Sequence, residues 1–421
     1  MFKCPVVKIL ARSSAPESFY AVSGSKILLK HPGNDEFIVC AGHPEGKKWS
    51  SIAALSSDEK LMAVCDCEKN LYLYEIKSEN EIFELQSVPM HLAKTATSVK
   101  FTDFPAKWTI LVADKFGDVL RFQVGEEFDR WAKESRKDSK SLSIHTKSQG
   151  KRSITEATEE ESADTADATA ADADVTVDEE ESGSGSSEAH KCTIIGHISM
   201  VTDLQVLPIS GDFVGGLIVT CDRDEKVRLT RADRPELIHS FGLIHKEFVG
   251  TLTTCEVTKS VYSAGGDNFI AEWQVEGNKL NLKSKIELEK EITGVVQEIK
   301  INEKGNLLFA HIDKFGLLCY KKSSENVWIL SEKFEIPNLT AFDLISETFY
   351  AAVWSTETET VNAVSFKNCC ENLKNLDCFD EISEAEGKEI VELLSKAKLR
   401  KDIERIDWKQ KKHANQKSRE I

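Results

Sequence analysis

Six charged side chains crowd into the seven residues that end at Arg228: Asp222, Arg223, Asp224, Glu225, Lys226 and Arg228 itself. On a rigid hairpin, charge at that density supplies ion pairs with fixed directions, which give a protein interface specificity and steering. The plainer reading is a solvated turn in which Asp224 bonds its own backbone. A second set, His245, Ser263, Asp267 and Trp273, can pass hydrogen bonds from one side chain to the next and so satisfy every polar atom in a buried chain. Neither set has the spacing of an enzyme site. There is no Gly-rich phosphate loop, no His-Glu-x-x-His pattern and no Gly-x-Ser-x-Gly elbow, and the 10 His do not cluster. Gly265-Gly266-Asp267 has the letters of a nucleotide turn but lies between two strands with no helix following. The 11 Cys are irregularly spaced with no Cys-x-x-Cys pair, as buried reduced thiols are. The expectation is a chain with no catalytic residue, no metal and no cofactor of its own.

Both sets sit in consecutive units between residues 192 and 273. Gly196-His197 opens the first, and an apolar strand from Gly216 to Thr220 leads into the charged turn. The second opens at His245 and reaches Trp273 through Ser263 and Asp267, which follows the WD-repeat pattern of a loop His, a strand Ser, a turn Asp and a strand Trp. The first unit offers His197, Thr220 and Asp224 but has Thr230 at the Trp position, so its bond chain is cut short. One such unit cannot bury both faces of its sheet, and repetition around a ring follows.

Further units fit that ring. Phe19 to Leu29 reads as a hairpin, Trp49 to Ile76 as strand, turn and strand, and Ser98 to Phe122 as another unit with the turn Asp114-Lys115-Phe116-Gly117. The same four letters return at Asp313-Lys314-Phe315-Gly316. A last unit spans Val327 to Phe366 and starts with Trp328-Ile329-Leu330, and the strand Val6 to Leu10 is expected to complete it and close the ring. The sum predicts an all-β, seven-bladed WD40 β-propeller at about 40 to 45 residues per blade. Blades 1–3 fall in residues 1–124 and blades 4–7 in 191–367.

Residues 125–190 interrupt it. From 153 to 190 there are 13 Asp and Glu and no Lys or Arg, so this stretch carries all but about three of the net charge of −16. With almost no large apolar residue it cannot offset the entropy of ordering, and a disordered acidic insertion is expected. Beyond Phe366 the period changes: Ile390, Leu393, Leu394, Ala397, Ile403 and Ile406 predict an amphipathic α-helix from Gly387 in a basic tail, 368–421. No apolar run reaches 18 residues, so the expected protein is soluble and intracellular. A Lys/Arg-rich tail adds a nuclear location, with the cytoplasm also open.

The wording of Gly196-His197-Ile198-Ser199-Met200-Val201-Thr202-Asp203, of the run 220–229 and of His245-Lys246-Glu247-Phe248-Val249 resembles the WD-repeat, non-catalytic subunit of the tRNA (guanine-N7) methyltransferase, called Wuho in insects. The chain departs from it at Cys221, where a small residue such as Ala is usual, and at Ile244, where a Gly precedes the His. The resemblance implies a scaffold that binds no S-adenosylmethionine and forms a heterodimer with a catalytic subunit that does, for N7-methylation of guanine in the variable loop of tRNA, with tRNA contacted in the complex. It implies that Asp224, Glu225 and Arg228 pair with charges on that subunit. Other roles open to such a propeller are a general nuclear scaffold and a ubiquitin-ligase substrate receptor.

If residues 153–190 only connect, replacing them with a short Gly/Ser link should leave the melting temperature nearly unchanged, because loop closure depends weakly on length. A drop of many degrees in a thermal melt would mean that the segment packs.

Overall fold

The computed structural model describes residues 2–400 except 17, 31–36, 79–80, 86–88, 126–192, 209–213, 293, 346–347, 355–360, 366–367 and 372–379. The expected acidic insertion, all but its first residue, and the basic stretch after Arg400 lie outside the described residues. Among the described residues the strands form six four-stranded antiparallel sheets, one five-stranded sheet and a two-stranded ribbon. The first strands of the large sheets are Val6–Ala11, Trp49–Leu55, Ala96–Thr102, Val201–Leu207, Val249–Cys255, Val296–Ile301 and Leu339–Ile345. Each lies against the next, and Leu339–Ile345 returns to Val6–Ala11, so the ring closes as a WD40-type propeller.

Second strands show why. Leu61–Asp66, Thr109–Asp114, Leu217–Asp222 and Ser260–Gly265 are buried at every residue, because each sheet is covered on both faces by its neighbours. Runs such as Leu217-Ile218-Val219 are therefore continuously apolar rather than alternating. Near the start of most first strands the register shifts, as at Val201/Asp203 and Val249/Thr251, a bulge that bends the inner strand.

Sequence units and sheets are offset by one strand, which corrects four boundaries. Thr193–Gly196 pairs with Asp118–Gln123, so the long segment after Gln123 joins adjacent strands of one sheet instead of separating two. Trp328–Glu335 is the outer strand on Gly316–Lys322, not part of the last sheet. Val6–Ala11 is the inner strand of its own sheet, with Phe19–Ser23, Lys26–Lys30 and Phe37–Gly42. The last sheet takes its fourth strand from Asn368–Glu371, beyond the boundary expected at 367. Closure rests on packing: Val6, Ile9 and Phe19 share a core with Ala341, Tyr350 and Ala352, and the Phe19 and Tyr350 rings lie 4.7 Å apart.

The helix covers Glu384–Leu394 and a 3-10 turn covers Lys396–Leu399. Ser383 caps it by accepting from the Glu386 N–H, and Gly387 sits where a Cβ would strike Trp354. Ile390 and Leu394 face apolar residues of the first two sheets. It ends three residues before Ala397, the last described position of the predicted apolar stripe, because the propeller seizes the chain at Ser395. The Ser395 hydroxyl donates to Asp313 (2.9 Å), and the Lys396 N–H donates to the Gln297 side chain (2.7 Å). This strap roofs a cavity of about 820 Å³ inside the ring, lined by Lys8, Lys100, Asp203, Glu298 and Lys300 among others.

One carboxylate welds two sheets. Glu272, fully buried on Phe269–Glu276, accepts from Ser284 (2.7 Å) and Tyr262 (3.2 Å) of its own sheet, and from Lys322 (2.8 Å) and Trp328 (3.0 Å) of the next. Burial alone would push its carboxyl up, but the bonds from Lys322, Ser284 and Lys283 outweigh that and hold it at about 2. A carboxylate whose folded value lies below its ordinary 4.5 stabilises the fold above that pH and loses the contribution as pH falls towards 2. Glu272→Ala, which strands the buried Lys322 ammonium, should cost about 3 to 5 kcal/mol at pH 7. In thermal melts across pH, the gap between wild type and Glu272→Ala should narrow between pH 4.5 and 2; a constant gap would show that the charge is irrelevant.

Candidate partner-binding face

His245 lies in the loop that enters Val249–Cys255, and its ring joins that loop to the two following strands. Its Nε2 is 2.8 Å from Ser263 Oγ, its Nδ1 is 2.9 Å from Asp267 Oδ2, and Trp273 Nε1 donates to Ser263 Oγ at 2.8 Å. One proton arrangement satisfies all four groups: Trp273 N–H to Ser263, Ser263 O–H to Nε2, and Nδ1–H to Asp267. Asp267 also accepts from the backbone N–H groups of Lys246 and Glu247. The loop is thereby held rigid.

In the preceding sheet the geometry differs from the sequence expectation. His197 reaches Thr220 Oγ1 at 2.8 Å, but its other nitrogen meets Asp222 at 3.1 Å, not Asp224. Asp222 sits at the very end of its strand, and its second oxygen accepts from the Asp224 and Lys226 N–H groups. Asp66 does the same for Glu68 and Asn70, and Asp114 for Phe116 and Asp118. Asp66 also lies 3.3 Å from the buried His43, a loop bond that the sequence reading missed. Its available signal was the recurrence of an Asp directly after an apolar second strand. In the fifth sheet Gly265 takes that place, since a Cβ there would strike the Phe248 carbonyl, and the Asp moves two residues on.

Arg228 bonds the Thr230 that stands at the Trp position. Its Nε donates to Thr230 Oγ1 (3.0 Å), and its two terminal nitrogens donate to the carbonyls of Gly196 (3.0 Å) and Pro235 (3.3 Å). Asp222 is 2% exposed and Arg228 4%, so these two members of the expected partner-binding set are internal. Burial pushes the Arg228 guanidinium below its ordinary value. Arg223, Asp224, Glu225 and Lys226 remain half-buried at the turn, with Glu225 at φ 73° forming its tip. Arg223 Nε also donates to the Leu399 carbonyl of the strap at 3.1 Å. Among the described residues no group of three or more His, Cys, Asp or Glu is placed to hold a metal ion.

Residues 30–389 match the family model described as the tRNA methyltransferase TRM82 WD40 domain. The chain belongs to this family. Similar curated proteins are the tRNA (guanine-N(7)-)-methyltransferase non-catalytic subunit trm82 of Aspergillus fumigatus, 28% identical over 68% of this chain and 59% of that protein, and TRM82 of Eremothecium gossypii, 27% identical over 55% and 38%. The subunit named wuho in Drosophila melanogaster is 29% identical over 34% of this chain and 32% of its own. The chain thus spans less than two thirds of the length of the relatives it matches.

The TRM82 match contains the charged turn, but within it the chain divides the labour between Arg228, which braces the sheet, and the tip. Arg228, expected to pair with charges on a partner subunit, instead spends its guanidinium inside its own sheet. Arg228→Glu would set a carboxylate against the Gly196 and Pro235 carbonyls, each left without its donor at about 1 to 3 kcal/mol. The isolated chain should melt several degrees lower, while Lys226→Glu at the tip should melt as wild type; equal melting of the two variants would show that Arg228 is not a brace.

Proposed function

We propose that this chain is the non-catalytic scaffold of a tRNA (guanine-N7) methyltransferase. The reading is supported by the TRM82 match over most of the chain and by relatives named as non-catalytic subunits. The five-stranded sheet counts as a blade like the other six, which makes seven. The turn Arg223–Lys226 faces the catalytic subunit and sets the register of a heterodimer, while tRNA is seated across the assembled pair. S-adenosylmethionine is held by the catalytic subunit alone, and the chain works in the nucleus.

Mechanistically, the propeller offers a rigid surface. Each loop near the turn is tied by a His–Asp bond, so little is lost in ordering it when a partner docks. Such a surface activates an enzyme by binding its active form better than its inactive form. Asp224 and Glu225 beside Arg223 and Lys226 present both signs of charge within one turn, which fixes orientation more than it adds affinity.

The pure chain should neither methylate tRNA nor bind S-adenosylmethionine in calorimetry, and mixing it with the catalytic subunit should give a stable pair with methylation activity above that of the catalytic subunit alone. Turnover by the pure chain, or failure of the two to associate, would overturn the proposal.

A further inference from the structure

Three apolar side chains stand out on the same face as the charged turn. Ile198 is wholly exposed, Phe116 is 65% exposed and Leu243 is 69% exposed. They are neighbours through the backbone. The His197 N–H donates to the Gly117 carbonyl at 2.8 Å, which sets Ile198 beside the turn of Phe116, and the Arg223 N–H donates to the Met200 carbonyl at 3.0 Å, which sets the same loop against the charged turn. Leu243 follows Gly242, which pairs with Val227 on the turn's other side.

Their exposure is not a by-product of turn geometry. The tetrapeptide Asp-Lys-Phe-Gly occurs twice; Phe315, in the second copy, packs against the core of its sheet, whereas Phe116 points outward with Lys94 Nζ 3.9 Å above its ring. Nor is the position of Ile198 loose, since His197 is fixed by Thr220 and Asp222 on one side of it. Side chains held out on rigid turns are anchors of the kind that dominate protein interfaces, because their ordering cost is already met in the free chain.

We infer that Ile198, Phe116 and Leu243 are the apolar anchors of the docking surface for the catalytic methyltransferase subunit, with the charged turn Arg223–Lys226 set between them. This rests on the function proposed above and names the surface that carries it. A protein fits better than RNA: Asp224 and Glu225 would repel a phosphate backbone, and the aliphatic Ile198 and Leu243 offer phosphate no donor. A protein surface carrying an apolar pocket rimmed by both signs of charge complements all of these residues.

The test uses the full chain and the catalytic tRNA (guanine-N7) methyltransferase subunit encoded in the same genome, with affinity measured by calorimetry. Ile198→Asp and Phe116→Ala should each weaken the pair at least tenfold while the isolated variants melt as wild type, since neither side chain is buried. Wild-type affinity in both variants overturns this inference and leaves the proposed function standing. A normal pair that has lost tRNA affinity also overturns it, by showing that the face meets RNA. If the wild-type chain itself does not bind the catalytic subunit, the proposed function fails along with it.

Discussion

A sheet whose second strand is buried along its whole length can be stable only between two others like it. Leu217–Asp222 and Ser260–Gly265 have no solvent face, so every sheet needs a neighbour on each side and the series must end where it began. Ring closure is thus a demand of strand composition, met here by the packing of Phe19 on Tyr350 and the Ala11 N–H bond to Asp343. The polar groups are arranged around that demand. Glu272 is tolerated inside because two sheets together supply five donors, more than either could alone.

The turns on one face solve a second problem. A hairpin between buried strands exposes backbone N–H groups that no strand can accept, and a single carboxylate at the strand end takes two of them at once. Asp66, Asp114 and Asp222 are placed alike for this reason, and two of them also hold the loop His. At the charged turn Asp222 takes the Asp224 and Lys226 N–H groups, while Arg223 ties the turn to the strap through the Leu399 carbonyl.

How much of this could be read from residues alone depends on whether local spacing or a distant neighbour decides. The chain from His245 to Trp273 was legible, since its members recur at set offsets within one unit and the structure brings all four within hydrogen-bond distance. Asp222 was not, because counting from Thr220 points to Asp224, and only the strand end shows which carboxylate meets His197. Arg228 was expected to meet charges on a partner, but a sheet covered on both sides has no solvent face, and its guanidinium is spent on Thr230, Gly196 and Pro235. The helix was expected at the right place, but its break at Ser395 is made by Gln297 and Asp313, about 80 to 100 positions earlier in the chain, and no local pattern encodes that.

The ribbon that pairs Phe2–Lys3 with Glu381–Ile382 has a consequence for how the protein comes into being. Lys3 and Glu381 are 378 positions apart, yet they form one ladder step and an ion pair of 3.2 Å. At about 5 to 20 residues per second of synthesis, the first strand waits roughly 20 to 80 seconds for its partner. Throughout that interval the first sheet lacks its neighbour on one side, and Phe19 and Tyr20 have only part of their cover. A ring of this kind therefore leaves the flank of its first sheet open until its last sheet has been made.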